Sequence, residues 1–204
     1  MDDTVRAYHH GDLKATLLRA AEAILERDGI QALTLRAAAR AAGVSHAAPA
    51  NHFGDLTGLF SDLAAIGHLR LGTALTDAIG AAGEAPKARM QAMGRAYVGF
   101  ARAHPALFAL MFRSDRLDRA RPALREAVEA ARQAVAAHVR PSSPWPLWAA
   151  AQVTAGWALV HGFASLLLEG RLETTVAALP TPETVESLFE AVLLTVQIGD
   201  GPAP

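Results

Sequence analysis

Hydrogen-bonding side chains gather in residues 43–53, GVSHAAPANHF, around a glycine and a proline. Ser45, His46, Asn51 and His52 offer donors and acceptors without a lysine, an arginine or a carboxylate among them. Side chains of this kind can donate to the bases or the phosphates of a nucleic acid. Whether they do so depends on the local structure that presents them.

The residues around this stretch predict two short helices joined by a tight turn. Thr34 is placed to cap a helix over 35–42, and Gly43 supplies the left-handed conformation of a turn without a Cβ penalty. Ser45 is placed to cap a second helix that reaches about Asn51, and Pro49 falls early enough in it to be tolerated. The pattern predicts a helix-turn-helix, whose second helix presents its first turn to the major groove of DNA.

The remainder of the chain reads as further helices, with no strand pattern and no repeat. We therefore predict an all-α protein of about nine helices, with an N-terminal helix-turn-helix domain over 1–56 and a second helical domain over 57–204. Gly29 is predicted to end the first helix, Asp55 to cap the fourth and the segment LPTPET to cap the last. The predicted helices cover residues 10–28, 35–42, 45–51, 55–82, 86–104, 106–112, 122–139, 147–170 and 185–198; a proline-rich linker covers 140–146, and a frayed tail 199–204.

Composition limits the classes of protein. The 204 residues carry a net charge of −1 and contain no cysteine, which excludes disulfides, thiolate metal sites and cysteine nucleophiles. The absence of cysteine fits a reducing compartment, and the polar N-terminus lacks the apolar region of a signal peptide, so we expect a cytoplasmic protein. Residues 1–60 hold six Lys and Arg against seven Asp and Glu, which argues against strong electrostatic binding of nucleic acid.

One stretch, 141–168, has no charged residue and is long enough to cross a membrane. It also contains Gln152, Thr154, His161 and Ser165, and charged amphipathic helices flank it. We favour a helix that packs on two sides, against its own subunit and against a partner. The expectation is a homodimer formed through helices about 147–170 and 185–198, with no membrane partner.

Three segments resemble one family. Residues 33–60, LTLRAAARAAGVSHAAPANHFGDLTGLF, resemble the DNA-binding domain of the TetR family of transcriptional repressors. YHHGDL, residues 8–13, is similar to the lead-in of a subgroup of that family, and GWALVHG, residues 156–162, is similar to the Trp…His-Gly signature of that subgroup's C-terminal domain. The resemblance implies an all-α homodimer in which a three-helix DNA reader is joined to a helical body, with double-stranded operator DNA and a small molecule as partners. It implies that residues 57–204 form the effector-binding and dimerisation domain.

Two residues depart from the family pattern. Ala50 stands where the family usually has a tyrosine, and Leu56 stands where it usually has a lysine, and both usual residues contact backbone phosphates. Their loss removes positioning contacts and leaves base contacts untouched. A ligand-binding dimer with weakened or lost DNA binding is therefore the alternative to a working repressor.

The remaining candidates for DNA contact are polar residues of the arm and the helix-turn-helix, together with the small residues of the second helix's first turn. They are Tyr8, His10, Lys14, Thr34, Arg36, Ser45, His46, Ala47, Ala48, Asn51, His52 and Thr57. A metal site at Tyr8-His9-His10 is the less favoured interpretation, because adjacent histidines rarely share an ion and no further ligands are evident. We expect no metal and no cofactor.

Methionine, aromatic and isolated polar residues of the middle helices and of the uncharged helix are candidates for a ligand site. Such residues also form ordinary cores, and that alternative stays open for each. No Arg or Lys cluster projects from these segments, so we expect a ligand that is apolar and neutral, or weakly polar. The candidates are Met90, Met93, Tyr97, Phe100, His104, Phe108, Met111, Trp148, Gln152, Trp157 and His161.

An enzyme is the rival class. The sequence has no nucleophile elbow, no phosphate-binding glycine loop, no HExxH motif and no carboxylate pair at a suitable spacing. We therefore predict a non-enzyme.

Overall fold

The computed structural model describes residues 3–136 and 146–195, with side chains from residue 13 onward. Within these ranges the chain is all-helical, which confirms the predicted fold class, and it forms ten helices where about nine were predicted. The additional one is short and follows the long uncharged helix. Residues 140–145 of the predicted linker and the predicted tail lie outside the described residues. In chain order the helices are α1 (Asp3–Asp28), α2 (Leu35–Ala41), α3 (Ala48–Phe53), α4 (Leu56–Ala81), α5 (Pro86–Ala103), α6 (Pro105–Met111), α7 (Pro122–Ala136), α8 (Pro146–Leu168), α9 (Leu172–Ala177) and α10 (Val185–Thr195).

The chain divides into two compact units. The first comprises Met1–Arg70 and His104–Arg132, and in it α1 packs against α2, α3 and α6, while α2 packs against α3. The second comprises Leu71–Ala103 and Gln133–Pro204, and in it α5 packs against α8, and α9 against α10. The predicted boundary at residue 56 separates a DNA-binding domain from an effector-binding and dimerisation domain, and it stays a prediction.

Small and apolar residues bring the helices of each unit together. In the first unit the fully buried side chains include Leu17, Leu25 and Leu63. In the second unit Gly94 of α5 lies so close to α10 that a Cβ added there would come within 2.9 Å of Leu193. Glu190 of α10 also forms a paired hydrogen bond at 2.6 Å with Arg95, one residue beyond that glycine.

Most predicted caps are confirmed. Thr34 Oγ1 accepts a hydrogen bond of 3.0 Å from the amide of Ala37, and Asp55 Oδ1 accepts one of 2.8 Å from Gly58. Gly29 ends α1 with a φ of 79°, a conformation that glycine adopts without strain. The start of α1 is earlier than predicted, at Asp3.

The predicted cap of the third helix is wrong. α3 begins at Ala48, and its first flanking residue, Ala47, makes no side-chain capping bond. Ser45 contributes its main-chain carbonyl, which accepts from the Ala48 amide at 3.1 Å. Pro49 lies in the first turn of the helix, where its missing N–H removes no internal hydrogen bond.

α8 is the one described helix that has the length and the composition of a membrane span. Those two properties alone are weak grounds for a span. Its exposed side chains include apolar ones at Leu147, Val153 and Trp157, with Leu147 83% exposed. The uncharged helix therefore presents an apolar face that the described part of its own chain does not cover.

Candidate nucleic-acid interface and ligand site

The turn between α2 and α3 has the geometry of a helix-turn-helix corner. Gly43 has a φ of 68°, and its amide donates to Arg40 O at 3.2 Å. The amide of Val44 then donates to Ala39 O at 3.0 Å, which closes the turn, and the Val44 side chain is half-buried beneath it. The left-handed glycine thus redirects the chain into α3.

Most of the candidate DNA contacts are accessible. Lys14 and His52 are half-buried. The side chains of Tyr8 and His10 lie outside the described residues. The exposed candidates are Thr34, Arg36, Ser45, His46, Ala47, Asn51 and Thr57.

Ala48 requires a correction. It was predicted to lie in the exposed first turn of the second helix of the helix-turn-helix, α3, but its side chain is only 8% exposed. Because α3 begins at Ala48, that residue packs inward beside Pro49, and the residues ahead of the helix, Ser45 to Ala47, form the accessible edge.

Sequence reasoning missed a charged cluster in the first unit. The carboxylate of Asp62 in α4 is buried, and it lies 2.8 Å from Lys14 Nζ and 2.5 Å from Arg121 Nε. A single aspartate between Phe60 and Leu63, in the apolar stripe of α4, is the signal that could have revealed it. A buried carboxylate needs cationic partners, and two cations converge on this one.

The first unit also joins α4 to α6 at a close approach. A Cβ added at Gly67 would lie 2.5 Å from Met111 Sδ. The neighbouring ring of His68 packs edge-on against Phe112, with 5.8 Å between centroids. Burial lowers the pKa of His68, and a hydrogen bond with the backbone of Met111 opposes part of that shift. His68 was not among the predicted site residues.

In the second unit three predicted ligand residues come together. Tyr97 Oη and His161 Nδ1 share a hydrogen bond of 2.9 Å, and Trp157 Nε1 donates to Tyr97 Oη at 3.4 Å. Trp157 and His161 are one turn apart on α8, with ring centroids 5.6 Å apart. Tyr97 belongs to α5, so the cluster joins the two helices.

The environment sets the protonation states of this cluster. Burial raises the pKa of Tyr97 to about 12, although the hydrogen bond from Trp157 opposes the rise. Burial lowers the pKa of His161. At neutral pH the cluster therefore pairs a neutral phenol with a neutral imidazole, which suits a neutral ligand group better than an ion.

The other predicted ligand residues are divided between the two units. In the second unit Phe100 and Gln152 are buried, Met93 is half-buried, and Met90 and Trp148 are exposed. In the first unit they are His104, which is half-buried, and Phe108 and Met111, which are buried in α6. Phe108 packs against Phe112 with 5.0 Å between ring centroids.

Residues 90–196 match the family described as "Tetracyclin repressor-like, C-terminal domain". The match covers the larger part of the chain and includes Tyr97, Trp157 and His161. The chain belongs to the tetracyclin repressor-like family. Membership of this family supports a role in transcription regulation and DNA binding.

Solved structures share the fold of this family member. A protein of unknown function from Rhodococcus sp. RHA1 is 37% identical, with a TM-score of 0.72 over 92% of this chain and 95% of that one. A candidate regulatory protein, SCO4313, is 18% identical, with a TM-score of 0.71 over 92% and 96%. The multidrug binding protein EbrR, complexed with imidazole, is 22% identical, with a TM-score of 0.52 over 93% and 96%.

The last two likenesses concern the fold alone, because fewer than a quarter of their residues are identical. No curated protein matches the chain. The family and the fold favour a protein that is not an enzyme.

Proposed function

We propose that this tetracyclin repressor-like protein is a homodimeric repressor that binds operator DNA and is released by a small, largely apolar ligand. The observation that carries the proposal is the corner at Gly43, which sets α3 behind an exposed edge of hydrogen-bonding residues. Family membership supports the regulatory role.

The proposed contacts with DNA divide by the chemistry of the side chains. Ser45, His46 and Asn51 are the candidates for base edges, since they lie at or near the first turn of the reading helix. Arg36 and Thr57 are candidates for phosphates, which position the protein on the duplex. In a dimer the two reading helices must lie about 34–36 Å apart, so that they enter successive major grooves.

The proposed dimer interface consists of α8 and α10. Val153 and Trp157 of α8 and Leu194 of α10 are between 51% and 60% exposed in the single chain. Large exposed apolar residues on two helices of one unit are typical of a surface that a partner covers. A two-fold interface covers the same patch on both subunits.

The proposed ligand site lies in the second unit, around Tyr97, Trp157 and His161. Their ring faces are apolar, and their polar atoms form a chain of hydrogen bonds that a ligand group could join. EbrR, a multidrug binding protein, is described in complex with imidazole. By analogy we propose a small ligand with an aromatic or apolar body. From the segment GWALVHG, residues 156–162, we also propose that the chain belongs to the subgroup with a Trp…His-Gly signature.

The ligand releases the protein from DNA if it favours a conformation in which the two α3 helices no longer have the spacing of successive major grooves. The test is a thermal-stability screen of neutral aromatic compounds, followed by an operator titration for each compound that stabilises the protein. We expect stabilising compounds to weaken operator binding, and to lose their effect in Tyr97→Phe. Compounds that stabilise the protein and leave operator affinity unchanged would contradict ligand release.

The alternative is a ligand-binding dimer with weakened or lost DNA binding. Ala50 and Leu56 favour it, because neither can replace the phosphate contacts of a tyrosine and a lysine. Titration of the wild-type protein with its own upstream DNA separates the two proposals.

We propose a cytoplasmic location on the ground that the chain lacks cysteine and that its proposed target is DNA.

A further inference from the structure

A buried ion cluster in the first unit is centred on Asp62. The side chain of Asp62 is 3% exposed and that of Lys14 is 41% exposed. Burial tends to raise the pKa of Asp62, but the hydrogen bonds from Arg121 and Lys14 outweigh burial and hold the pKa below its usual range. The carboxylate is therefore ionised at neutral pH, and it fixes the two cations that reach it from different parts of the chain.

Besides its bond with Asp62, Arg121 makes a hydrogen bond with α3, the proposed DNA-reading helix. Its Nη1 donates to the main-chain oxygen of Phe53 at 3.3 Å, while its Nε donates to Asp62 Oδ1. Phe53 is the last residue of α3, and carbonyls at the end of a helix lack partners within the helix. A cation is favourable there, and a helix of six residues needs such support because it is not stable alone.

The backbone around α3 and α4 leaves room for this bond. A Cβ added at Gly58 would overlap the Phe53 carbonyl oxygen and would lie 2.8 Å from Arg121 Nη1. Only a residue without a side chain allows the guanidinium and the carbonyl to meet at this point.

Arg121 also connects α3 with the segment between α6 and α7. That segment is held a second time, because the amide of Asp118 donates to Ser61 Oγ at 2.9 Å. Ser61 and Asp62 are neighbours in α4, so the segment is anchored at two successive residues.

We propose that Arg121 is a positioning residue for DNA recognition, which holds the carboxyl-terminal end of α3 against α4 and the α6–α7 segment. The role of the guanidinium is to link Asp62 to Phe53, and it makes no contact with phosphate. The inference rests on the proposed DNA binding for its functional consequence, whereas the physical link between Arg121 and α3 can be tested without DNA.

The test compares the full-length wild type with Arg121→Gln, Arg121→Lys and Arg125→Gln. Arg125 is an exposed arginine in the first turn of α7, four residues after Arg121, and its substitution removes the same charge from a side chain that has no described bond to α3. Arg121→Lys keeps a cation for Asp62, but an ammonium group cannot donate to Asp62 and to the Phe53 carbonyl at the same time as a guanidinium can. Melting curves establish that each variant is folded, and Arg121→Lys carries the test if Arg121→Gln is not.

The first readout is amide hydrogen exchange of residues 48–54 without DNA. We expect faster exchange in Arg121→Gln and Arg121→Lys, and wild-type exchange in Arg125→Gln. Unchanged exchange in both Arg121 variants overturns the inference, whatever the protein does with DNA.

The second readout is the affinity for upstream DNA and for a scrambled duplex over a range of salt. We expect Arg121→Gln to bind upstream DNA about tenfold more weakly, as for a lost hydrogen bond to a charged group, with no change in the salt slope or in scrambled binding. An equal loss on both duplexes, with a slope shallower by about 0.9 per site, would make Arg121 a phosphate contact and overturn the inference. Failure of the wild type to prefer upstream DNA refutes the proposed function instead, and hydrogen exchange still decides the role of Arg121.

Discussion

At the scale of single residues, Leu56 is the position where a change should strengthen DNA binding. It is the first residue of α4, where the family usually places a lysine that contacts phosphate. Leu56→Lys is expected to steepen the dependence of log K on log salt by about 0.9 per subunit, since each new phosphate contact releases counterions. Fluorescence anisotropy at several salt concentrations measures the slope.

Leu69→Lys is the matched control for this prediction. It adds the same charge at an exposed position of the same helix, about 20 Å further along its axis at 1.5 Å per residue. We expect a smaller effect at Leu69. Equal slopes in the two variants would mean that general charge, and not a contact at residue 56, determines affinity.

His161 predicts a pH dependence of stability. Because burial lowers its pKa in the folded state, the unfolded chain binds the proton more readily. The free energy of unfolding therefore has its full value above the pKa of His161 in the unfolded chain, about 6.5, and it decreases as the pH falls through that pKa. We expect the free energy of unfolding to decrease from pH 7 to pH 5, and to decrease less in His161→Gln.

Urea denaturation at fixed protein concentration measures this dependence. Thr154→Ala, an exposed change on the same helix that removes no titrating group, should keep the wild-type slope. A His161→Gln slope identical to that of the wild type would contradict the prediction. His68, whose pKa burial also lowers, accounts for part of the slope that remains.

At the scale of elements, α6 depends on a cap from another helix. Glu26 of α1 accepts hydrogen bonds from the amides of Ala106 and Leu107, at 3.1 and 3.0 Å. Both amides belong to the first turn of α6, where a negative charge is favourable. Glu26→Ala should lower the free energy of unfolding by about 1–2 kcal/mol.

Glu129→Ala is the control for this prediction. Glu129 is on α7 of the same unit, where it pairs with Arg132 on the surface. Its loss should change the free energy of unfolding by less than about 0.5 kcal/mol. Urea denaturation that shows the same loss for both variants would remove the argument for a cap between helices.

The elements also show what sequence could predict. Local signals were sufficient for the caps at Thr34 and Asp55 and for the turns at Gly29 and Gly43, because each depends on a few adjacent residues. The start of α3 was placed too early, since a serine before a helix resembles a cap whether or not its side chain is used. Ala48 was therefore misread as a surface residue.

The links between distant segments could not be predicted in the same way. Tyr97 meets Trp157 and His161 across a separation of about sixty residues, and only their residue types pointed to a common site. Asp62 and Arg121 are 59 residues apart, and no local pattern joins them. The residue types indicated candidates, but pairing them required the packing of whole helices.

At the scale of the whole molecule, the apolar faces of α8 and α10 predict a dimer. The wild type should sediment as a dimer at micromolar concentration. Val153→Glu places a carboxylate in the proposed interface, where an unpaired buried charge is costly, and should raise the dimer dissociation constant on the order of a hundredfold. Thr175→Glu, which adds the same charge to α9 outside the proposed interface, should leave it unchanged.

Analytical ultracentrifugation across a concentration series measures both constants. A wild type that stays monomeric at micromolar concentration would contradict the interface. So would a Val153→Glu variant that dimerises as tightly as Thr175→Glu. In either case no dimer interface would hold two α3 helices at the spacing of successive major grooves.

The proposal that the chain regulates transcription by reading DNA is tested by titrating the wild-type protein with its own upstream DNA and with a scrambled duplex of equal length. Anisotropy at low and at moderate salt gives both affinities and their salt dependence. We expect upstream binding to be on the order of a thousandfold tighter than scrambled binding, at the low end for specific regulators because phosphate contacts are missing at Ala50 and Leu56. Equal affinity for the two duplexes, or no binding at low salt, would contradict it.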